Sequence, residues 1–283
     1  MLPEGTLAGR VVVITGGGTG LGFEMARTFA RLGAKLVLAS RRSEHLDPAV
    51  ASLTAAGAEA VAIPTDVADP HQVRALAAAT LAHFGRVDVL VNNAAGNFVR
   101  PAERLPEAAF RKVIDIALNG TFYCSRSFGL AMIEQAAGGV ILNIVATYAW
   151  HGGPGTVHSA CAKAGVLAMT RTLAVEWARH RIRVVAIAPG PLATEGAAAR
   201  LWPSEELEER VRRSIPLQRF ATTGEVADAA AWLVSDHAGY VTGEVLTLDG
   251  GGWLGRGVLT GAPDEAIPSV RRRRPADRKA DHG

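Results

Sequence analysis

The residues most able to do chemistry begin with a group of glycines whose spacing could bind a phosphate ester. Residues 15–22 read TGGGTGLG, follow an apolar run and lead straight into a helical pattern. Glycine lets the backbone turn tightly and approach a pyrophosphate, whose charge then lies at the N-terminus of the helix. Glycine turns also occur as plain connections, but the strand-turn-helix order predicts a dinucleotide site. The predicted contacts are Gly16, Gly18, Thr19, Gly20, Leu21 and Gly22.

The residues after the next two predicted strands indicate which dinucleotide is bound. An acidic residue after the second strand would bind the ribose diol of NAD, but residues 39–42 read ASRR. Arginine pairs well with a 2′-phosphate, so Arg41 and Arg42 favour NADP over NAD, the alternative being two merely exposed charges. Asp66 and Val67 follow the third strand and could contact the adenine. Asp66 could equally be the N-cap of a helix that begins near Pro70.

Two later segments carry small and polar residues where such a cofactor would lie. Residues 92–96 read NNAAG after the fourth predicted strand, and residues 159–163 read SACAK. Ser159 and Lys163 share one helical face at the spacing i, i+4. The predicted cofactor contacts in these segments are Asn93, Ala94, Gly96 and Lys163. With the glycine turn followed by these two segments, the chain resembles the short-chain dehydrogenase/reductase family over about residues 8–253.

The chain departs from the usual members of that family at two catalytic positions. Alcohol-forming members carry a Tyr four residues before the Lys and a Ser thirteen residues before that Tyr, where this chain has Ser159 and Ala146. In those members the phenol exchanges a proton with a carbonyl or alcohol oxygen, and a serine hydroxyl is too weak an acid for that step. Tyr148 offers a phenol just beyond the fifth predicted strand. We therefore interpret the phenol as relocated rather than lost.

This arrangement resembles the 2,4-dienoyl-CoA reductases of the family. The resemblance includes Tyr148, the LNG of residues 118–120 and the APGPLATEGA of residues 188–197. It implies that Tyr148 and Asn119 hold the thioester oxygen, while Ser159 and Lys163 position the cofactor. It also implies that the cofactor is contacted near the nicotinamide by Pro189, Gly190, Leu192 and Thr194. The contacts that it implies to the CoA portion are Phe98 and Arg200.

The chemistry that the resemblance implies is a hydride transfer to a conjugated thioester. Hydride added at the far end of a dienoyl group drives negative charge onto the thioester oxygen. Tyr and Asn side chains donate hydrogen bonds at neutral pH, and removing one such donor typically costs about 3–4 kcal/mol of transition-state stabilisation. Protonation on carbon by water then gives 3-enoyl-CoA. We expect an NADPH-dependent 2,4-dienoyl-CoA reductase of fatty-acid oxidation, the alternatives being a trans-2-enoyl-CoA reductase and a catalytically silent NADP-binding regulator.

The elements that must position these residues alternate along the chain. Apolar runs rich in β-branched residues predict strands, and segments with a 3.6-residue period between them predict helices. Such runs suit a parallel sheet covered on both sides, which predicts a single Rossmann-type, doubly wound α/β domain of about seven parallel strands over residues 8–254. Residues 255–283, rich in Gly, Pro and Arg, are expected to form a flexible tail. Strands are predicted near 11–15, 35–39, 60–63, 87–91, 139–145, 182–188 and 244–248, and helices near 21–32, 45–57, 70–84, 107–136, 157–180, 204–213 and 224–235.

The charge balance limits the partners. The pI is about 9.1, but residues from Gly255 onward hold seven basic and four acidic side chains, an excess equal to the whole-chain net charge of +3. No aromatic residue is interleaved with these arginines, so nucleic acid is not an expected partner. The sequence shows neither a signal pattern nor 18 consecutive apolar residues, and we expect a soluble, cytoplasmic protein without a membrane span.

The remaining polar and thiol residues receive structural interpretations. Cys124 and Cys161 have no CxxC spacing and are expected to be buried core residues, with no metal site. His151 and His158 have no carboxylate nearby in sequence and are expected to be solvated. The helices near 107–136 and 157–180 are more apolar than one sheet-facing stripe requires, which together with the family resemblance predicts a homo-oligomer, specifically a tetramer.

Overall fold

The chain folds around a seven-stranded sheet in which every pair of neighbouring strands is parallel. The computed structural model describes residues 2–192 and 204–254. The strands are Val11–Thr15 (β1), Lys35–Ser40 (β2), Ala60–Pro64 (β3), Val89–Asn92 (β4), Gly139–Ile144 (β5), Ile182–Pro189 (β6) and Val245–Leu248 (β7). Their order across the sheet is β3-β2-β1-β4-β5-β6-β7.

Helices connect successive strands. In the described ranges the α-helices are Gly20–Arg31 (α1), Ser43–Ala55 (α2), Pro70–Phe84 (α3), Glu107–Ile114 (α4), Gly120–Gln135 (α5), Tyr148–His151 (α6), Val157–Trp177 (α7), Glu205–Ser214 (α8) and Thr223–Val234 (α9). One turn of π-helix, Asp115–Asn119, joins α4 to α5. Short 3₁₀ helices occupy Ala102–Arg104, Ala178–His180 and Asp236–Ala238.

Two hydrophobic cores lie on opposite faces of the sheet. Along β1, Val12 and Ile14 point into a core shared with α1, α2 and α9, whereas Val13 points into a core shared with α3, α5 and α7. Alternate side chains of a strand face opposite sides, so a strand that is buried throughout requires helices on both faces. All five residues of β1 are buried. This explains why the strands read as apolar runs and not as alternating patterns.

The strand order reverses direction between β1 and β4, which places a crevice at their carboxyl ends. From β1 the chain builds outward to β3 and then returns to add β4 on the other side. In open parallel sheets, ligands bind in the crevice outside the carboxyl ends at such a point. The crevice therefore lies beside the glycine turn after β1 and the NNAAG segment after β4.

The predicted fold class is confirmed, with local differences at the helices. The predicted helix near 107–136 contains the π-helical turn, and α6, which begins at Tyr148, was not predicted. Asp69, and not Asp66, caps α3, because the Asp69 side chain accepts a hydrogen bond from the backbone N–H of His71. The N-cap alternative for Asp66 is therefore wrong.

Residues 2–192 and 204–254 contain neither a candidate membrane span nor a cluster of metal ligands. None of the helices in these ranges has the length and apolar character that crossing a membrane would take. No three His, Cys, Asp or Glu side chains of the same ranges are grouped as metal ligands would be. The tail of residues 255–283 lies outside the described residues.

Candidate active site

The glycine turn is clamped to the loop after β4 by Thr15 and Asn93. The Thr15 hydroxyl accepts hydrogen bonds of 3.0 Å from the backbone N–H groups of Asn93 and Ala94. The Asn93 amide donates in return to the carbonyl oxygens of Thr15, at 2.9 Å, and Gly16, at 3.2 Å. A Cβ at Gly22 would lie only 2.2 Å from the Gly16 carbonyl oxygen, so glycine is required where α1 packs against the turn. The turn is a rigid cradle and not a loose connection.

A cavity of about 330 Å³ runs along this cradle, between the glycine turn, the end of β2 and the loop after β4. Arg41 and Arg42 lie at its rim, are exposed, and make no side-chain hydrogen bond or ion pair with the described residues, so both guanidinium groups can meet a phosphate. Asp66 lies at the cavity wall, with its Oδ1 accepting from the backbone N–H of Ala68 at 3.0 Å. The predicted cofactor contacts that line the cavity are Gly16, Thr19, Leu21, Gly22, Arg41, Arg42, Asp66, Val67, Asn93, Ala94 and Gly96.

The remaining predicted cofactor contacts are not among the residues that line this cavity. Gly18 packs against α2, where a Cβ would lie 2.7 Å from the His45 carbonyl oxygen, and Gly20 has a positive φ of 53° at the start of α1. Pro189 ends β6, and Gly190 packs so closely on Asp249 that a Cβ would lie 2.7 Å from its Cα. Leu192 forms an isolated bridge with Ala221. Thr194 and Arg200 lie outside the described residues.

A buried chain of amides and hydroxyls fixes the floor of the crevice. Asn92, at the end of β4, donates 2.9 Å hydrogen bonds to the Ser125 hydroxyl and to the Asn143 side-chain oxygen. Asn143, on β5, donates in turn to the Thr170 hydroxyl at 2.9 Å. All four side chains are buried, and buried polar groups that are fully paired hold one arrangement. The network ties α5 and α7 to the strand ends that carry the site.

Tyr148 and Ser159 are in direct contact. The Tyr148 hydroxyl lies 2.9 Å from the Ser159 Oγ, and either atom can be the donor. Burial raises the pKa of Tyr148, with the Ser159 hydrogen bond opposing that shift. The phenol therefore remains protonated at neutral pH. It can donate a hydrogen bond to an oxygen but is not poised to lose its proton.

Lys163 lies on the same face of α7 as Ser159 and is buried. Its Nζ donates a 2.5 Å hydrogen bond to the carbonyl oxygen of Ile144 at the end of β5. Burial lowers the pKa of Lys163 to about 8, so the ammonium group is still charged at neutral pH. The side chain is not that of a solvated surface lysine, because Lys163 is only 6% exposed.

Asn119 ends the π-helical turn, which packs against α7. Its Nδ2 donates a 2.9 Å hydrogen bond to the Asp115 carboxylate one turn earlier. An amide nitrogen has two protons, so a second donor remains on the same atom. Gly165 makes the packing possible, because a Cβ there would lie 2.8 Å from a methyl group of Leu118. π-Helical turns occur frequently at functional sites.

The loop between β4 and α4 brings two further side chains to Tyr148 and α7. Asn97 donates from Nδ2 to the Tyr148 hydroxyl over 3.3 Å. Phe98, a predicted substrate contact, stacks on His158 with ring centroids 4.2 Å apart, and the His158 Nε2 donates to the Phe98 carbonyl oxygen at 3.1 Å. Sequence reasoning passed over Asn97, although an amide between two predicted contacts, Gly96 and Phe98, was a signal that could have found it.

Two expectations about individual residues are wrong. His158 is fully buried and not solvated, and burial lowers its pKa, so the ring is neutral at pH 7. Its Nδ1 has no hydrogen-bond partner among the described residues. Cys161 is exposed on α7, whereas Cys124 is buried as expected. Successive residues of a helix face different sides, and apolar context in sequence did not reveal which side carries Cys161.

A pair of indole rings borders the site. Trp150 follows Tyr148 by two residues on α6, and its ring meets the edge of Trp253 at a centroid distance of 5.7 Å and an interplanar angle of 86°. The Trp150 N–H is buried without a partner among the described residues. Trp253 follows β7, so the pair joins α6 to the segment after β7.

Known proteins resemble this chain over most of its length. The family model described as Enoyl-(Acyl carrier protein) reductase matches residues 16–252. A protein of Bacillus subtilis (strain 168), named a probable (2E)-enoyl-CoA-producing 2,4-dienoyl-CoA reductase, is 45% identical over 87% of this chain and 97% of its own length. The (3E)-enoyl-CoA-producing peroxisomal 2,4-dienoyl-CoA reductase of Pongo abelii is 44% identical over 88% of this chain and 85% of its own.

A solved structure agrees with these sequence matches. The crystal structure of a short chain dehydrogenase from Bacillus anthracis superposes with a TM-score of 0.79, at 45% identity over 86% of this chain and 96% of that one. The crevice and these matches together define an oxidoreductase that uses a nicotinamide dinucleotide. More closely, the chain belongs to the short-chain dehydrogenase/reductase family.

Proposed function

We propose that this protein catalyses the NADPH-dependent reduction of 2,4-dienoyl-CoA thioesters in fatty-acid oxidation. The observation that carries the proposal is the contact between Tyr148 and Ser159. The phenol reaches the site from α6, beyond β5, while a serine occupies the position on α7 from which alcohol-forming relatives present their tyrosine. The names of the relatives from Bacillus subtilis and Pongo abelii support the same reaction class.

The proposed role of Tyr148 follows from its protonation state. A reduced nicotinamide bound in the crevice would supply the hydride that is added at C5 of the dienoyl chain. Negative charge then spreads through the double bonds to the thioester oxygen, and a dienolate forms. Because burial raises the pKa of Tyr148, its hydroxyl keeps its proton and donates to that oxygen. A neutral donor stabilises this charge without transferring the proton.

The proposed role of Asn119 is to supply a second donor to the same oxygen. One Nδ2 proton is held by Asp115 at 2.9 Å, and the other is available to the substrate. The Asp115 carboxylate fixes the amide so that it does not need to reorganise when charge develops. Lys163 and Ser159, on one face of α7, would hold the nicotinamide end of the cofactor.

The position of protonation decides the product. Protonation of the dienolate at C2 gives a 3-enoyl-CoA, whereas protonation at C4 gives a 2-enoyl-CoA. We propose protonation at C2 by water, with Tyr148 keeping its proton as a donor to the thioester oxygen. The names of the two relatives differ on this point, so the product is a separate measurement.

The proposal of NADPH rests on Arg41 and Arg42. Both are exposed at the rim of the cofactor cavity after β2, where an acidic residue would instead select NAD. A 2′-phosphate would pair with their free guanidinium groups. We further propose a cytoplasmic homotetramer. Both cysteines are free thiols, as a reducing compartment keeps them, and α5 and α7 carry exposed apolar side chains, among them Leu130 and Val175.

The test is NADPH consumption with a 2,4-dienoyl-CoA, a trans-2-enoyl-CoA and a 3-oxoacyl-CoA. We expect turnover of the dienoyl compound, identification of a 3-enoyl-CoA by NMR of the product, and a weaker reaction with NADH. In Tyr148→Phe, kcat should fall about 10²- to 10³-fold with little change in KM, because the donor acts chiefly in the transition state.

Tyr240→Phe is the matched control, since it removes the same hydroxyl from a fully exposed side chain, and its kinetics should equal those of the wild type. Turnover of the 3-oxo compound alone would overturn the proposed function. Turnover of the trans-2-enoyl compound alone would assign the chain to that reductase class. Tight NADPH binding without any turnover would indicate a regulator.

A further inference from the structure

Asn97, in the loop between β4 and α4, contacts the hydroxyl to which the proposed function gives the main role. Its Nδ2 lies 3.3 Å from the Tyr148 hydroxyl, and its Oδ1 accepts a 2.9 Å hydrogen bond from the backbone N–H of Phe98. The two ends of an amide differ, since the oxygen only accepts and the nitrogen only donates. The bond from Phe98 therefore fixes the orientation of the amide, and Nδ2 is the donor to Tyr148.

A phenol hydroxyl has one proton and two lone pairs. Asn97 occupies one lone pair, and Ser159 Oγ, 2.9 Å away, can donate to the other. With both lone pairs filled, the phenolic proton points away from both partners. Hydrogen bonds in such a chain also polarise one another, so an oxygen that accepts two becomes a stronger donor.

We propose that Asn97 is a positioning residue that, together with Ser159, directs the Tyr148 proton to the thioester oxygen of the substrate. The proposal rests on the proposed function and assigns a task to a residue outside the predicted site. Asn97 acts through Tyr148 and does not itself need to contact the reacting atoms.

The contacts around Asn97 form a closed ring that keeps it in place. Asn97 is hydrogen-bonded to Tyr148, and Tyr148 is hydrogen-bonded to Ser159. His158, which precedes Ser159 in the chain, stacks on Phe98, which follows Asn97. The His158 bond to the Phe98 carbonyl oxygen, 3.1 Å long, pins the same loop a second time. The ring joins three separate segments of the chain. Its members are therefore oriented before the substrate arrives, which is how a donor contributes most to catalysis.

The test uses Asn97→Asp and Asn97→Ala, each in the wild type and in Tyr148→Phe, with a 2,4-dienoyl-CoA and NADPH. The aspartate keeps the shape but replaces the donor by an acceptor that competes for the phenolic proton. We expect kcat to fall at least about tenfold in either variant, with KM changed less than about threefold, because the orientation matters chiefly in the transition state. In the Tyr148→Phe background neither substitution should cause a further loss, since the hydroxyl they orient is absent.

A purely structural role would lower activity by the same factor in both backgrounds, and that result would overturn the proposal. NADPH affinity, measured for every variant, checks that the cofactor site remains folded. If the wild type does not reduce the dienoyl compound at all, the proposed function fails and this proposal with it. Wild-type turnover with equal losses in both backgrounds overturns the positioning role alone.

A measurement without turnover checks the contact itself. In ¹⁵N-labelled protein the side-chain amide signals of Asn97, assigned by their loss in Asn97→Ala, should shift in Tyr148→Phe. They should remain in place in Tyr240→Phe, which removes an exposed hydroxyl elsewhere. If the Asn97 amide signals do not shift in Tyr148→Phe, the proposal is overturned.

Discussion

At the scale of single residues, burial sets the pKa values of two side chains in the crevice. Tyr148 and Lys163 are both partly or wholly removed from water, with opposite effects: burial raises the pKa of the phenol and lowers that of the ammonium group to about 8. The phenol bonds to Ser159 and Asn97, while Lys163 bonds to the Ile144 carbonyl oxygen. Donation to an oxygen needs a protonated phenol, and this arrangement keeps the proton in place.

Lys163 should make stability depend on pH in a defined window. Its pKa in the folded protein is about 8 against an ordinary 10.5, so between these values the unfolded chain holds a proton that the folded chain has released. The free energy of unfolding therefore rises with pH across the window, by roughly 2–3 kcal/mol. Lys163→Met removes this contribution. Urea unfolding at pH 7, 8, 9 and 10 should show the wild type gaining stability relative to Lys163→Met above pH 8.

The matched control is Lys112→Met, at an exposed position of α4, whose difference from the wild type should stay constant between pH 8 and 10. A constant difference for Lys163→Met as well would contradict the lowered pKa of Lys163.

At the scale of elements, the sequence predicted what is local and missed what depends on distant contacts. The glycine turn and α1 were predictable because the positive φ of Gly16 and the close approach of Gly22 demand glycine at those positions. The helix at 224–235 was predictable because Thr222 and Glu225 form a capping box at its start. The burial of His158 was not predictable, since it follows from a stack on Phe98, sixty residues earlier in the chain. Asn97 was missed although it lies between two predicted contacts, because its bond to Tyr148 joins residues 51 positions apart in the chain.

The rigidity of the turn between β1 and α1 predicts a strong effect of one methyl group. In Gly22→Ala the new Cβ would lie 2.2 Å from the Gly16 carbonyl oxygen and 2.7 Å from the Asn93 Nδ2. Neither atom can move without breaking the clamp between Thr15 and Asn93. We expect NADPH binding, followed by fluorescence titration, to weaken at least about tenfold, which is a loss of about 1.4 kcal/mol.

Gly224→Ala provides the control for that substitution. It also adds a methyl group near the start of a helix, α9, but its closest neighbour would be the Thr222 hydroxyl at 3.8 Å, an ordinary contact. NADPH affinity should not change in this variant. Unchanged affinity in Gly22→Ala as well would show that the turn does not hold the cofactor in the proposed way.

At the scale of the whole molecule, two features stand apart. One is the crevice at one end of the strands, and the other is the exposed apolar surface of two helices on one face of the sheet. The crevice residues lie at the carboxyl ends of the strands, as the reversal of strand order requires. On the other hand, α5 exposes Phe122 and Leu130, and α7 exposes Val175 at 80% of its surface. The two helices meet where Gly129 packs against the Trp177 ring. Exposed apolar side chains are common at the interaction sites of soluble proteins.

The proposed tetramer predicts that a charge on this surface disrupts assembly. Leu130→Lys and Val175→Lys should each reduce the mass measured by light scattering after size exclusion, because a buried unpaired charge is costly at an interface. Tyr240→Lys, at a fully exposed position away from both helices in the sequence, should keep the wild-type mass. A wild-type monomer, or charged variants of unchanged mass, would refute the predicted interface.

The edge-to-face pair of Trp150 and Trp253 gives the molecule an optical reporter of its own. Trp150 shares a four-residue helix with Tyr148, and its ring is in contact with the last described turn after β7. The emission of an indole responds to the polarity of its surroundings, and acyl-chain atoms that replace water beside Tyr148 would change those surroundings. Under the proposed function, binding of the acyl chain should therefore change the intrinsic fluorescence of the protein without any attached label.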